Sequence, residues 1–290
     1  MSLRPARRSV GRGWLLVLLA GLGAAGSAAP RGPVDHRIDA PATPLAAAAS
    51  ESGRTVPFFP SASSGSDARG LVRVINRSAE AGEVSVSPSD DEGRAYGPLT
   101  LSLGANAAAH FDSDDLENGN PARGLTGAAG RGQGDWRLRL ASALDVEVLS
   151  YVLTQDGFLT AMGGTLPWGD GGLRAAIFNP GSNMRQRSLL RLVNLGETAA
   201  AVSIAGVDDT GASSAGPVTV EIPSGAVRTY SAAELEAGDA TGLTGSLGDG
   251  AGKWRLSVRS EEAIMAISLL ASPDGHDTNL SPAPIMESAG

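Results

Sequence analysis

No cysteine occurs anywhere in this sequence, which excludes disulfides, thiolate metal sites and the acylated cysteine of a lipoprotein. Stability must come from packing alone. Long apolar runs are also missing: the longest, Trp14 to Ala25, falls well short of the ~20 residues that a permanent transmembrane helix needs. No stable membrane span is expected. That run follows Arg4, Arg7, Arg8 and Arg12 and precedes the small residues Gly26 to Ala29, the three-part layout of a secretory signal peptide. Residues 1–28 are therefore predicted to be cleaved, with the mature chain starting near Ala28 or Ala29. Basic residues are few, 23 against 31 acidic ones for a net charge of -8, and losing the four signal arginines takes the charge to -12. Such a surface repels phosphate backbones and anionic lipid, which argues against nucleic acid or a membrane surface as partner.

Glycine and proline, 39 and 17 of 290 residues, stay below the ~25–30% typical of low-complexity chains. Residues 29–53 are rich in Pro and Ala without a sustained period and read as a flexible tether. Beyond them the chain repeats itself. Leu71 to Asn76 (LVRVIN) matches Leu189 to Asn194 (LLRLVN), 118 positions later. Asp90-Asp-Glu-Gly93 matches Asp208-Asp-Thr-Gly211, Gly124-Leu-Thr-Gly127 recurs at Gly242, and Trp136-Arg-Leu138 recurs at Trp254, all at that same offset. A period of this length is a whole domain rather than a solenoid repeat. The copies are placed at 54–166 and 173–285, joined by the turn-rich Pro167–Gly172.

Trp136, Leu138 and Leu140 alternate with Arg137 and Arg139, and Trp254 onward does the same. That is the period of a half-buried strand. Similar runs recur in each copy, and Val146 to Leu153 with its partner Ile264 to Leu270 is apolar on both faces, as a central strand would be. The expected fold is all-β: two tandem antiparallel β-sandwich or barrel-like domains. Each carries one short helical turn, opened by the capping boxes at Asp112–Asp115 and Ser231–Glu234 and stopped at Gly119 and Gly238.

No catalytic residue is assigned. The three histidines, His36, His110 and His276, occupy non-equivalent places, which excludes a histidine zinc site or a Ser-His-Asp triad shared by the copies. G-x-S-x-G is absent too. The glycine clusters at Gly130–Gly134 and Gly248–Gly252 precede strands rather than helices and lack a P-loop ending, so they read as connections. The repeated acidic pairs Asp90, Asp91 and Asp208, Asp209 are the metal candidates, since adjacent carboxylates offer oxygen to Ca²⁺. Their spacing is not that of a complete calcium loop, and acid plus glycine is what a β-turn requires locally. The turn reading is favoured, and no cofactor is assigned. Trp136 and Trp254 are weighed as sugar-stacking platforms, but alternation places them with the core leucines. Arg73 and Arg191 are equivalent mid-strand arginines awaiting acidic partners.

The joint pattern resembles the tandem β-rich modules of bacterial secreted and surface proteins, which are sometimes appended to extracellular peptidases. It is carried by Asn76, Asp90, Asp91, Leu116, Glu117, Trp136, Asp156 and Thr160 in the first copy. In the second the same places hold Asn194, Asp208, Asp209, Leu235, Glu236, Trp254, Asp274 and Thr278. The resemblance implies context rather than an activity. The expected function is a secreted or periplasmic binding or adhesion protein, contacting a protein or glycan in the cell envelope or outside the cell. The alternative is a secreted hydrolase or the accessory domain of one, though Asp90 and Asp91 would point to opposite faces of a strand.

Overall fold

The structure, a computed structural model, describes residues 52–64, 68–162 and 173–281. The signal peptide, nearly all of the tether and the Pro167–Gly172 joint lie outside the described residues. The strands of the first repeat are β1 (Ser52–Phe59), β2 (Arg69–Asn76), β3 (Gly82–Ser89), β4 (Leu99–Leu103), β5 (Ala108–Asp112), β6 (Leu125–Thr126), β7 (Trp136–Ser142), β8 (Val146–Leu153) and β9 (Leu159–Ala161). Helix α1 (Ser113–Asn118) follows β5. The second repeat runs through β10 (Leu173–Phe178), β11 (Arg187–Asn194), β12 (Ala200–Val207), β13 (Val218–Ile222), β14 (Val227–Ser231), α2 (Ala232–Ala237), β15 (Leu243–Thr244), β16 (Trp254–Arg259), β17 (Ile264–Ala271) and β18 (Asp277–Asn279).

The fold is all-β, and the topology is written twice. One sheet of each repeat has the order β1-β7-β3-β4-β6 or β10-β16-β12-β13-β15, and the other has β5-β2-β8-β9 or β14-β11-β17-β18. Every pairing is antiparallel and no sheet closes on itself. Each repeat is thus a sandwich, not a barrel. In the first, Val56, Val84, Leu101, Trp136 and Leu138 from one sheet pack against Val72, Val74, Phe111 and Val146 from the other. The apolar members of each strand share one face because successive side chains point to opposite sides. Both tryptophans are buried at equivalent places, which gives the Trp strands their core role. The helical turns form as the capping pattern predicts, with Asp112 and Ser231 each accepting from the backbone three residues on.

The apolar second face of β17 has a covering. Ile267 and Leu269 are buried with Phe58, Ala68, Val152 and Met162 of the first repeat. Val193, Val227 and Met265 form a further buried cluster on the same outer face of the second repeat. The two sandwiches therefore share an apolar cluster at their seam. Among the described residues no helix is long and apolar enough to cross a membrane.

Candidate functional site

The motifs that repeat most faithfully turn out to be internal clamps. Asp90 is buried; its Oδ1 accepts the Glu92 and Arg94 N–H groups at 3.1 and 2.9 Å, and its Oδ2 accepts the Tyr96 hydroxyl and the Gln133 N–H. Asp208 repeats the arrangement with Thr210, Ala212 and Ala251. These bonds, led by the Ala251 N–H, hold the Asp208 carboxyl down at about 2, because donors aimed at a carboxylate favour its charged form. Each aspartate ties its own turn to the glycine-rich loop before the Trp strand. The second members behave differently: Asp209 accepts the Lys253 N–H at 2.8 Å and is exposed, whereas Asp91 accepts the Asp135 N–H and turns toward the other repeat. Among the described residues no three acidic or histidine groups gather in the manner of a metal site.

A clamp that sequence reasoning missed joins two other motifs. Glu117 at the end of α1 accepts the Trp136 indole N–H at 2.9 Å, together with the Ser61 hydroxyl and the Ala62 N–H. Glu236 accepts the Trp254 indole N–H at 2.8 Å and the Gly181 N–H. The signal was present as a Leu-Glu pair recurring in step with each tryptophan. Glycine is required beside these rings: a Cβ on Gly132 or Gly250 would stand 2.7 or 2.3 Å from the indole that follows.

What the repeats do not share lies at their junction. Arg191, mid-strand on β11 and 2% exposed, places its guanidinium on Asp91, with Nη2 to Oδ1 at 2.5 Å and Nη1 to Oδ2 at 3.3 Å. The same cation stands 4.8 Å from the Phe58 ring centre, a favourable place for a positive charge. Asp135 Oδ2 is 3.9 Å away, and the Val227 N–H donates to the Asp91 carbonyl at 2.8 Å. Arg191 thus finds its acidic partner across the seam, while Arg73, its equivalent, is exposed and makes no ion pair among the described residues.

Beside this ion pair a cleft of about 490 Å³ opens between the repeats, lined by Phe58, Asp91 and Asp135 on one side and Arg187, Arg191 and Asp277 on the other. Burial raises the Asp135 carboxyl above the usual range, opposed by the nearby Arg191 charge. Burial also raises Asp277, and the charge of Asp135 adds to the effect. The Arg191 Nε–H is buried without a protein acceptor. A concave junction with perturbed carboxyls is the kind of place where ligand sites occur. None of its defining residues except Asp91 was marked out as a site from sequence. No protein-family model, no curated protein and no solved structure matches this chain, so the cleft is read from its own chemistry.

Proposed function

We propose that this chain is an exported binding or adhesion protein whose ligand seat is the cleft between its two sandwiches. The observation that carries the reading is the cleft itself, lined by Asp135, Asp277 and Arg191 at a junction of both repeats. Two carboxyls beside the Arg187 and Arg191 guanidiniums ask for a partner offering both donors and acceptors, which is the chemistry of glycan hydroxyls or peptide amides. Export rests on the basic, apolar and small-residue order of the first 28 residues, and N-terminal sequencing of the protein recovered outside the cytoplasm should begin near Ala28 or Ala29. Binding is tested with a glycan array and a peptide array probed by the purified chain and by Asp277→Arg. Ligands that bind the parent and lose the variant support the cleft; ligands indifferent to the substitution place the site elsewhere.

The same pair of carboxyls, both raised by burial, favours a second reading, a carboxylate-based hydrolase, since two carboxyls lining one cleft are the usual equipment for acid and base roles. Turnover of an oligosaccharide panel that disappears in Asp135→Asn would select it over simple binding.

A further inference from the structure

The two repeats meet through unlike surfaces, and the duplication leaves one of each unused. The first repeat contributes a projecting end made of Phe58, Asp91 and Gly93. The second contributes the outer face of its β14-β11-β17-β18 sheet, with Arg191 set among Val193, Ile267 and Leu269. In the second repeat the projecting end is Ile177, Asp209 and Gly211, at the places equivalent to the first three. Ile177 is 49% exposed where Phe58 is 7%. A Cβ on Gly93 would stand 2.7 Å from the Ser224 carbonyl of the neighbouring repeat, whereas one on Gly211 would meet nothing within 4 Å. On the equivalent sheet face of the first repeat, Arg73 is exposed, and Ile75, Leu149 and Tyr151, equivalent to Val193, Ile267 and Leu269, are only partly buried. Strand β8 is apolar on both faces like β17, yet only β17 has both faces covered.

We propose that these two leftover surfaces bind each other between molecules. A second copy of this chain docks head to tail, with Asp209 of one chain on Arg73 of the next and Ile177 lying over Arg73 as Phe58 lies over Arg191. The internal seam is the template, and the leftover charges are complementary in the same sense. A contact of this kind is heterologous, so each added chain offers the same two ends again and the assembly grows or closes into a ring. Several departures weaken it. Met265 of the covered face is answered by Glu147 on the open one, Asp135 of the covering end by Lys253, which sets a second cation near Arg73, and Phe58 by Ile177, which has no ring to offer the guanidinium, while the Glu92–Arg228 ion pair of the internal seam has only Thr210 and Ala109 as counterparts. The intermolecular contact is therefore more polar than the internal one. That keeps the open face compatible with water and makes the association reversible. The proposal does not depend on what the cleft binds.

Sedimentation velocity of the purified chain over a range of concentrations tests it. The average mass should rise with concentration, and Arg73→Glu or Asp209→Arg should each weaken association about tenfold or more, since an attractive pair becomes a repulsive one. Combining both reversals in one chain should restore it. Mixing the two single variants should restore growth as alternating chains, because the intact Asp209 end of one meets the intact Arg73 face of the other and the two reversed surfaces attract each other as well. Ile177→Ser, which removes the apolar cover and adds no charge beside Arg73, should weaken association too. All three side chains are exposed, and unchanged circular dichroism would show that folding is retained. A chain that stays monomeric at every concentration overturns the proposal, as does an association that both charge reversals leave unaltered.

Discussion

Residues in this protein fall into those that hold a turn and those that are held under strain by their surroundings. Asp208 belongs to the first kind. With its folded value near 2 and an ordinary unfolded carboxyl near ~3.9, its contribution is present above that ordinary value and is lost as pH falls toward 2. The midpoint of urea unfolding should drop over that interval, and Asp208→Asn should flatten the slope. Asp277 is of the second kind. Burial raises its carboxyl, so the folded state binds the proton more readily than the unfolded chain and stability falls as pH rises through the raised value. Asp277→Asn should raise the melting temperature at neutral pH while leaving it unchanged in strong acid. A residue that costs stability in a cleft is what a binding role explains. Glu117 serves three donors at once. Glu117→Ala, by orphaning them, should cost about 3 kcal/mol in urea unfolding, and Glu117→Gln about half of that or less, because an acceptor oxygen remains.

Elements show why so much of the fold was legible. The strands beginning at Leu71, Leu99 and Trp136 announce themselves because one face is core and the other is wet. The short helices were legible through their caps. Ser231 closes α2 through a reciprocal bond with Glu234, and Ser231→Ala should cost ~1 kcal/mol, measured as a shift in thermal midpoint that Ser231→Asp largely reverses. Strands β1 and β5 were harder to see. β1 starts inside the Pro/Ala-rich stretch and carries Pro57 with a register shift between Val56 and Phe59. β5, with the sequence AAHFD, buries only Phe111 on its core side, too little to make a period. That register shift matters beyond β1, for it sends Phe59 into the core while Phe58 reaches the neighbouring repeat.

At the scale of the whole molecule, the seam ties the two sandwiches together through a shared apolar cluster and a buried ion pair. Asp91→Ala would leave the buried Arg191 guanidinium with only the more distant Asp135 as counter-ion, at a cost of about 3 kcal/mol, near the lower end for such pairs because Asp91 keeps some contact with water and Asp135 remains. Calorimetry should then resolve two transitions in place of one, each repeat unfolding by itself. Arg191→Leu should cost less, since Leu189, Ile267 and Leu269 already supply apolar neighbours. A second linked prediction is the concentration-dependent mass set by Arg73 and Asp209, which are the unused counterparts of the same pair.

The sequence by itself determined the duplication, the all-β class, the two helical turns and the burial of both tryptophans. These follow from local periods and caps, and each is repeated so that one copy checks the other. It also marked the acidic pairs, and for Asp90 and Asp208 the turn geometry is a local matter of donors two and four residues ahead. Only the tertiary structure decided that Asp91 and Asp209 have different fates, that Arg191 is buried while Arg73 is not, and that Asp135 and Asp277 converge on one cleft. The reason is physical: two copies of one sequence have the same internal contacts, but a head-to-tail seam between them uses a different surface of each. Identical motifs then acquire unlike surroundings that no pattern within either copy encodes.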